Sequence, residues 1–164
     1  MPSFRRLVNT HSGFGPLIAR VPLGIIFMAH GAQKLFGWFG GAGFEATANW
    51  FGSIGLHPSA LMTALAGGTE FFGGLALLLG FLTRPVALLL SFTLLVAIFT
   101  VHIGNGLFMA NNGYEFALAL LSGTAALLIS GSGRWAVDYY LMNKWHGSSS
   151  VGNHTLRTAR RSHP

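Results

Sequence analysis

The chain has 164 residues, 51% of them apolar and 9% charged, against about a quarter charged in an ordinary soluble domain. Ten Lys or Arg and four Asp or Glu cannot cover the surface of a water-soluble fold of this length, so the chain must face lipid. The absence of cysteine excludes disulfides, thiol redox chemistry, Cys-ligated zinc and iron–sulfur clusters, and at about 20 apolar residues per span the length suits four spans and leaves no room for a second, soluble catalytic domain.

Apolar runs predict spans over 16–36, 59–82, 85–108 and 113–131. Arg5-Arg6 stand ahead of the first run as in a secretory signal, but Arg20 interrupts the run and no clean cleavage site follows, which reads as a retained span. The segment 37–58 is aromatic rather than polar, with Trp38, Phe39, Phe44, Trp50 and Phe51 among glycines. Phe44, Thr47, Trp50, Phe51 and Ile54 follow helical spacing, which predicts a short helix in the interface or capping the bundle; a plain aromatic belt is the competing account. Gly67, Gly68, Gly73 and Gly74 along the second span let helices approach closely, or leave a groove for a ligand. After the fourth span, Arg134 and Asp138 stand i,i+4 beside Trp135, Tyr139 and Tyr140, which predicts a second interfacial helix with a surface ion pair. From His146 onward Ser, Gly, Asn, Thr and Arg dominate, so 146–164 is expected as a disordered basic tail behind a membrane domain over 1–145.

The net charge of +6 is explained by topology. Arg5, Arg6, Arg84, Arg134, Lys144, Arg157, Arg160 and Arg161 all fall on one side of an alternating four-span arrangement, while 37–58 and 109–112 contain no Lys or Arg. The positive-inside rule then places both termini in the cytoplasm of an inner (plasma) membrane protein. Lipid is the surrounding partner, nucleic acid is not expected, and self-association of such a bundle is one arrangement the sequence allows.

Ionisable side chains within spans are costly and by default mark function. They are Arg20, His30, Lys34, Glu70, His102 and Glu115. At the helical rise, Lys34 and Glu115 lie about 3 Å from the outer end of their spans, His30 and His102 about 8 to 9 Å, and Glu70 about 16 Å. Arg20, near the inner end, can snorkel to the cytoplasmic headgroups. His30 and Lys34 share a helix face, and Glu70 and Glu115 can supply carboxylates to it. A polar pocket is therefore expected that opens outward and narrows to Glu70, with His30, Lys34, Glu70, His102 and Glu115 as its candidate groups. Nothing ionisable bridges Glu70 and Arg20, so a continuous ion pore does not fit. The competing account is an ion-pair and hydrogen-bond network that holds the helices in register. Two histidines at matching depth instead suggest proton handling or ligand contact; ligation of a b-type haem by His30 and His102 has no other support in the chain, and no metal site is expected.

Gly-x-Glu-Phe occurs twice, as Gly68-Thr69-Glu70-Phe71 and Gly113-Tyr114-Glu115-Phe116, and the first and third spans each carry a His closely followed by Gly. The pattern fits a duplicated helical hairpin related by an axis along the membrane normal.

Taken with Gly31-Ala32-Gln33-Lys34-Leu35-Phe36-Gly37-Trp38, Ala66 to Gly74 and Gly80-Phe81-Leu82-Thr83-Arg84, these strings resemble the DoxX family of small membrane proteins over roughly 19–138. The resemblance implies an all-α fold, a four-transmembrane-helix bundle with short interfacial helices. It is similar to the membrane subunit of thiosulfate:quinone oxidoreductases, which implies a redox-accessory role, often beside a soluble redox partner, although most members have no defined reaction. Carried onto His30, Lys34, Glu70, His102 and Glu115, it implies a quinone-head or proton-handling site. No nucleotide-binding fingerprint is present, because the glycine clusters lie in a hydrophobic span, so a redox cofactor would be lipid-borne or a partner's. A different class of function, a proton-coupled small-molecule transporter or a membrane assembly factor, would use the same charges.

Overall fold

The computed structural model describes residues 13–141; Arg5-Arg6 and the tail expected over 146–164 lie outside the described residues. Helix α1 runs over Gly15–Phe36, α2 over Gly43–Ser53, α3 over Ser59–Leu79, α4 over Thr83–Ala97 and α5 over Glu115–Ser130, with no strand among the described residues. Helices α1 and α3, and α4 with its continuation to Asn105, are long and apolar enough to cross a membrane. The fourth, α5, is a shorter apolar helix of 16 residues, about 24 Å long at the helical rise. These four form an all-α bundle, and α2 lies against one end of it, burying Thr47, Ala48 and Phe51 while Phe44 and Trp50 stay exposed.

The bundle is built inside-to-outside for lipid. Its core gathers Phe27, Leu77, Leu90, Leu94, Leu120 and Leu127. Its exterior is also apolar: Ile18, Phe72, Phe99 and Ile129 are 64% to 79% exposed. Water would penalise such a surface; hydrocarbon does not.

Helix α1 packs most extensively on α3, and α4 next on α5. Glycine permits the first contact. A Cβ at Gly31 would sit 2.4 Å from the Phe71 amide nitrogen, and one at Gly74 would sit 2.6 Å from the Gly24 carbonyl oxygen. Three glycines of α3 thus serve packing: Gly67 and Gly74 face α1 and Gly73 faces Val86 and Leu90 of α4, while Gly68 meets nothing within 4 Å. In the second contact the Ser91 hydroxyl donates to Thr124 Oγ1 at 2.7 Å inside the core.

At the end opposite α2, two sequence expectations are corrected. Arg20 does not snorkel. It is 1% exposed, and its guanidinium donates to the Leu77 and Leu78 carbonyls at 3.0 and 2.7 Å and to the Trp135 carbonyl. A cation at the C-terminus of α3 satisfies carbonyls that have no partner within the helix and meets the negative end of the helix dipole. Nor does Asp138 form a surface ion pair with Arg134. Its carboxylate accepts from the amides of Leu82 at 2.8 Å and Thr83 at 3.0 Å, capping α4 from a segment 55 residues downstream. The left-handed Trp135, with φ of 61°, bends that segment under the bundle, and only a helical turn at 137–141 follows among the described residues.

Candidate functional site

Helices α3 and α4 run antiparallel through the short turn at Gly80-Phe81-Leu82. Near that turn they touch, Gly73 against Leu90. Toward the α2 end a cavity of about 530 Å³ opens between them. Helix α3 contributes Met62, Leu65, Ala66, Thr69 and Glu70, a stripe at spacings of three and four; helix α4 and its continuation contribute a matching stripe that includes Leu89, Phe92, Thr93, Val96, Ala97 and Thr100. Trp50 and Phe51 of α2 and Leu56 after it line the α2 end.

The cavity is more apolar than the polar pocket the sequence suggests. Several of its walls also face the lipid side: Leu65 is 54% exposed, Leu89 57% and Phe92 65%. The space is therefore a groove open sideways between α3 and α4, not a shaft closed on all sides.

Polar groups gather at few points. Lys34 comes from the last turn of α1, and its ammonium donates to Glu70 Oε2 at 2.6 Å. This is the only ion pair among the described residues. The two side chains are 25% and 12% exposed, so the pair is half-sheltered at the cavity wall. His102 arrives by a different route. After Ala97 the helix widens into a π turn over Ile98–His102, closed by the Ile103 amide donating to the Ile98 carbonyl five residues back; such turns are frequent where a helix presents a functional group. His102 Nδ1 lies 2.8 Å from the Asn112 carbonyl oxygen, and Asn112 itself lines the cavity.

The five candidate residues do not all converge. Lys34, Glu70 and His102 share the cavity. His30 lies outside its lining and packs its ring on Phe116, 5.8 Å between centroids. Glu115 is the first residue of α5, and its Oε1 accepts from the Met109 amide at 2.7 Å, stapling the turn between α4 and α5. Among the described residues no three His, Cys, Asp or Glu come together as a metal-holding group.

The DoxX family model matches residues 15–103, more than half of the chain. The chain belongs to the DoxX family. It is 37% identical to the Bacillus subtilis (strain 168) protein named "Putative oxidoreductase CatD" over 88% of this chain and 100% of that one. It is 34% identical to the inner membrane protein YqjF of Escherichia coli (strain K12), over 80% of this chain and 95% of that one. An uncharacterized membrane protein of Mycobacterium tuberculosis (strain ATCC 25618 / H37Rv) is 28% identical over 87% of this chain and 91% of its own. No solved structure matches.

The DoxX match takes in Lys34, Glu70 and His102 and stops before Asn112 and Glu115. Sequence reasoning missed the apolar and hydroxyl walls of this DoxX cavity. The signal was present in α4 and its continuation, where Thr93, Ala97 and Thr100 place small residues on one face of an otherwise Leu- and Phe-rich helix.

Proposed function

We propose that this DoxX protein is a redox-accessory subunit of the inner membrane that holds a quinone-like or other small apolar ring molecule in the groove between α3 and α4. One observation carries the reading: an apolar cavity of about 530 Å³, open sideways, has the Lys34–Glu70 pair and His102 in its wall. The volume falls within the about 300 to 1,000 Å³ typical of small-ligand sites. That suits a single ring head, with any hydrocarbon tail leaving past Leu65 and Phe92 into the bilayer. Lys34 donates to an oxygen on the ring, and Trp50 and Phe51 cover it on the α2 side. Quinone, when bound, supplies a two-electron carrier; electrons would be exchanged with a soluble redox partner, since the chain has no cysteine and no nucleotide fingerprint.

In this proposal both termini are cytoplasmic and the α2 end faces outward, supported by the absence of Lys and Arg from 37–58 and 109–112. Residues 1–145 act as one membrane domain, with 146–164 as its tail. A transporter is less well supported, because Arg20 and the 131–138 segment fill the opposite end of the bundle.

The test is solvent extraction and mass spectrometry of the detergent-purified protein, beside its Glu70→Gln variant. The wild type should carry a quinone or similar neutral ring lipid enriched over the bulk membrane extract. Glu70→Gln keeps shape and an acceptor for Lys34 but takes the counter-charge from a sheltered ammonium, so thermal stability should fall by about 1 to 3 kcal/mol while the enrichment is lost. No enrichment in the wild type overturns the reading, and an early-melting variant with normal enrichment favours a register-holding ion pair.

A further inference from the structure

The hydrogen bonding of His102 decides what its free nitrogen can offer. A backbone carbonyl accepts and never donates, so at 2.8 Å from the Asn112 oxygen His102 Nδ1 must carry the hydrogen. In the neutral ring Nε2 is then bare, an acceptor only. Among the described residues no second hydrogen bond engages the ring, and the residue lines the cavity. The same Asn112 oxygen also accepts from Asn105 Nδ2 at 3.2 Å, which uses both of its lone pairs and holds it in place for the imidazole.

The Lys34–Glu70 pair in the same cavity has no such preference. The ammonium keeps two hydrogens beyond the one given to Glu70 Oε2, and Glu70 Oε1 has no partner among the described residues. Donor and acceptor stand side by side, able to meet a carbonyl or a hydroxyl. His102 Nε2 can meet only a hydroxyl.

We propose that His102 makes the groove selective for hydroxyl-bearing rings, a hydroquinone or phenol, over the corresponding carbonyl-only quinone. The proposal rests on the reading above that the groove takes such a ring. It adds which form is held, and by which atom. The ring's hydroxyl donates to His102 Nε2, while Lys34 and Glu70 hold the opposite oxygen in either form.

The experiment uses the full chain in lipid nanodiscs at one fixed pH, with empty nanodiscs as blank. Equilibrium dialysis measures naphthoquinone, its hydroquinone kept reduced under anoxia, and the hydroquinone dimethyl ether. One added hydrogen bond predicts that the hydroquinone binds about three- to tenfold more tightly than the quinone, with the dimethyl ether no better than the quinone. His102→Phe, its folding checked by its thermal midpoint, should remove the preference; His102→Gln, whose amide oxygen can accept, should restore part of it. Equal affinity for quinone and hydroquinone in the wild type, or equal loss of both in His102→Phe, overturns this inference while leaving the groove as a ring site. If none of the three compounds binds above the blank, the inference and the proposed function both fall.

Discussion

The two faces of α3 are built to opposite ends. Toward α1 it presents Gly67 and Gly74, and the backbones come so close that an added Cβ at Gly31 or Gly74 would overlap main-chain atoms. Toward α4, on the half nearer α2, it presents Leu65, Ala66, Thr69 and Glu70 to a cavity. Between helices in lipid there is no hydrophobic driving force, so close backbone packing has to supply the association. A helix that is sealed on one side can then leave the other side loose. The sealed seam also fixes the position of Lys34, since α1 carries it to Glu70 across that contact.

The largest expected effect breaks the seam. Gly31→Leu would place a side chain against Phe71 N at 2.4 Å and Gly67 O at 2.7 Å, neither of which can rotate aside. Overpacking ordinarily costs about 1 to 3 kcal/mol, and with backbone as the obstacle the upper end or more is expected, read as a thermal midpoint in detergent too low for purification of the folded protein. Gly68→Leu, on α3 at a position where an added Cβ meets nothing within 4 Å, is its control and should purify normally.

A smaller effect is expected where the bundle is tied at the end away from α2. Arg20→Met keeps much of the side-chain bulk but strands the Leu78 and Trp135 carbonyls and leaves the Leu77 carbonyl only the Gly80 amide at 3.1 Å. Buried acceptors left without donors cost about 1 to 3 kcal/mol each, offset by relief of burying the charge; a net loss of about 2 to 3 kcal/mol is expected in detergent unfolding, and amide exchange should speed first at Gly80 and Asp138, whose backbones are joined there at 3.0 Å. Unchanged exchange at those two residues would mean that the segment is held by something other than Arg20.

Much of this architecture could be read from the sequence, for reasons that also explain the failures. Apolar runs located all four bundle helices because lipid demands them along nearly the whole span. The ends moved by a few residues where backbone conformation, not hydropathy, decides: Gly80 and Leu82 are left-handed, with φ of 66° and 47°, and end α3 at Leu79 although Leu82 is apolar. Lys34 and Glu70 were recognisable as costly charges that need partners. Glu115 was grouped with them through a shared Gly-x-Glu-Phe string, but Glu70 lies mid-helix and Glu115 at a helix start, where the Met109 amide of the preceding turn claims its carboxylate. Arg20 was misjudged because what covers it, the chain at 131–138, returns from 115 residues away; no local pattern encodes that return.

The smallest stability effect is expected one residue from the seam, and it separates the two faces of α3 most sharply. Ala66 and Gly67 are neighbours, yet Gly67 packs on Leu35 of α1 while Ala66 lines the cavity. In a filled core Ala→Leu would be overpacking, but here the three added carbons enter open space in a groove of about 530 Å³. They gain contact with its apolar walls and displace nothing in the protein. Ala66→Leu should therefore leave the unfolding midpoint in detergent within about 0.5 kcal/mol of the wild type, or raise it slightly, while reducing the amount of co-purifying ring lipid. Gly67→Leu should do the reverse, lowering stability because the Leu35 side chain stands 2.7 Å from the new Cβ. If Ala66→Leu instead destabilised as much as Gly67→Leu, the α3–α4 side would be as tightly packed as the α1 side. The contrast between sealed and open faces, on which the ligand reading depends, would then be gone.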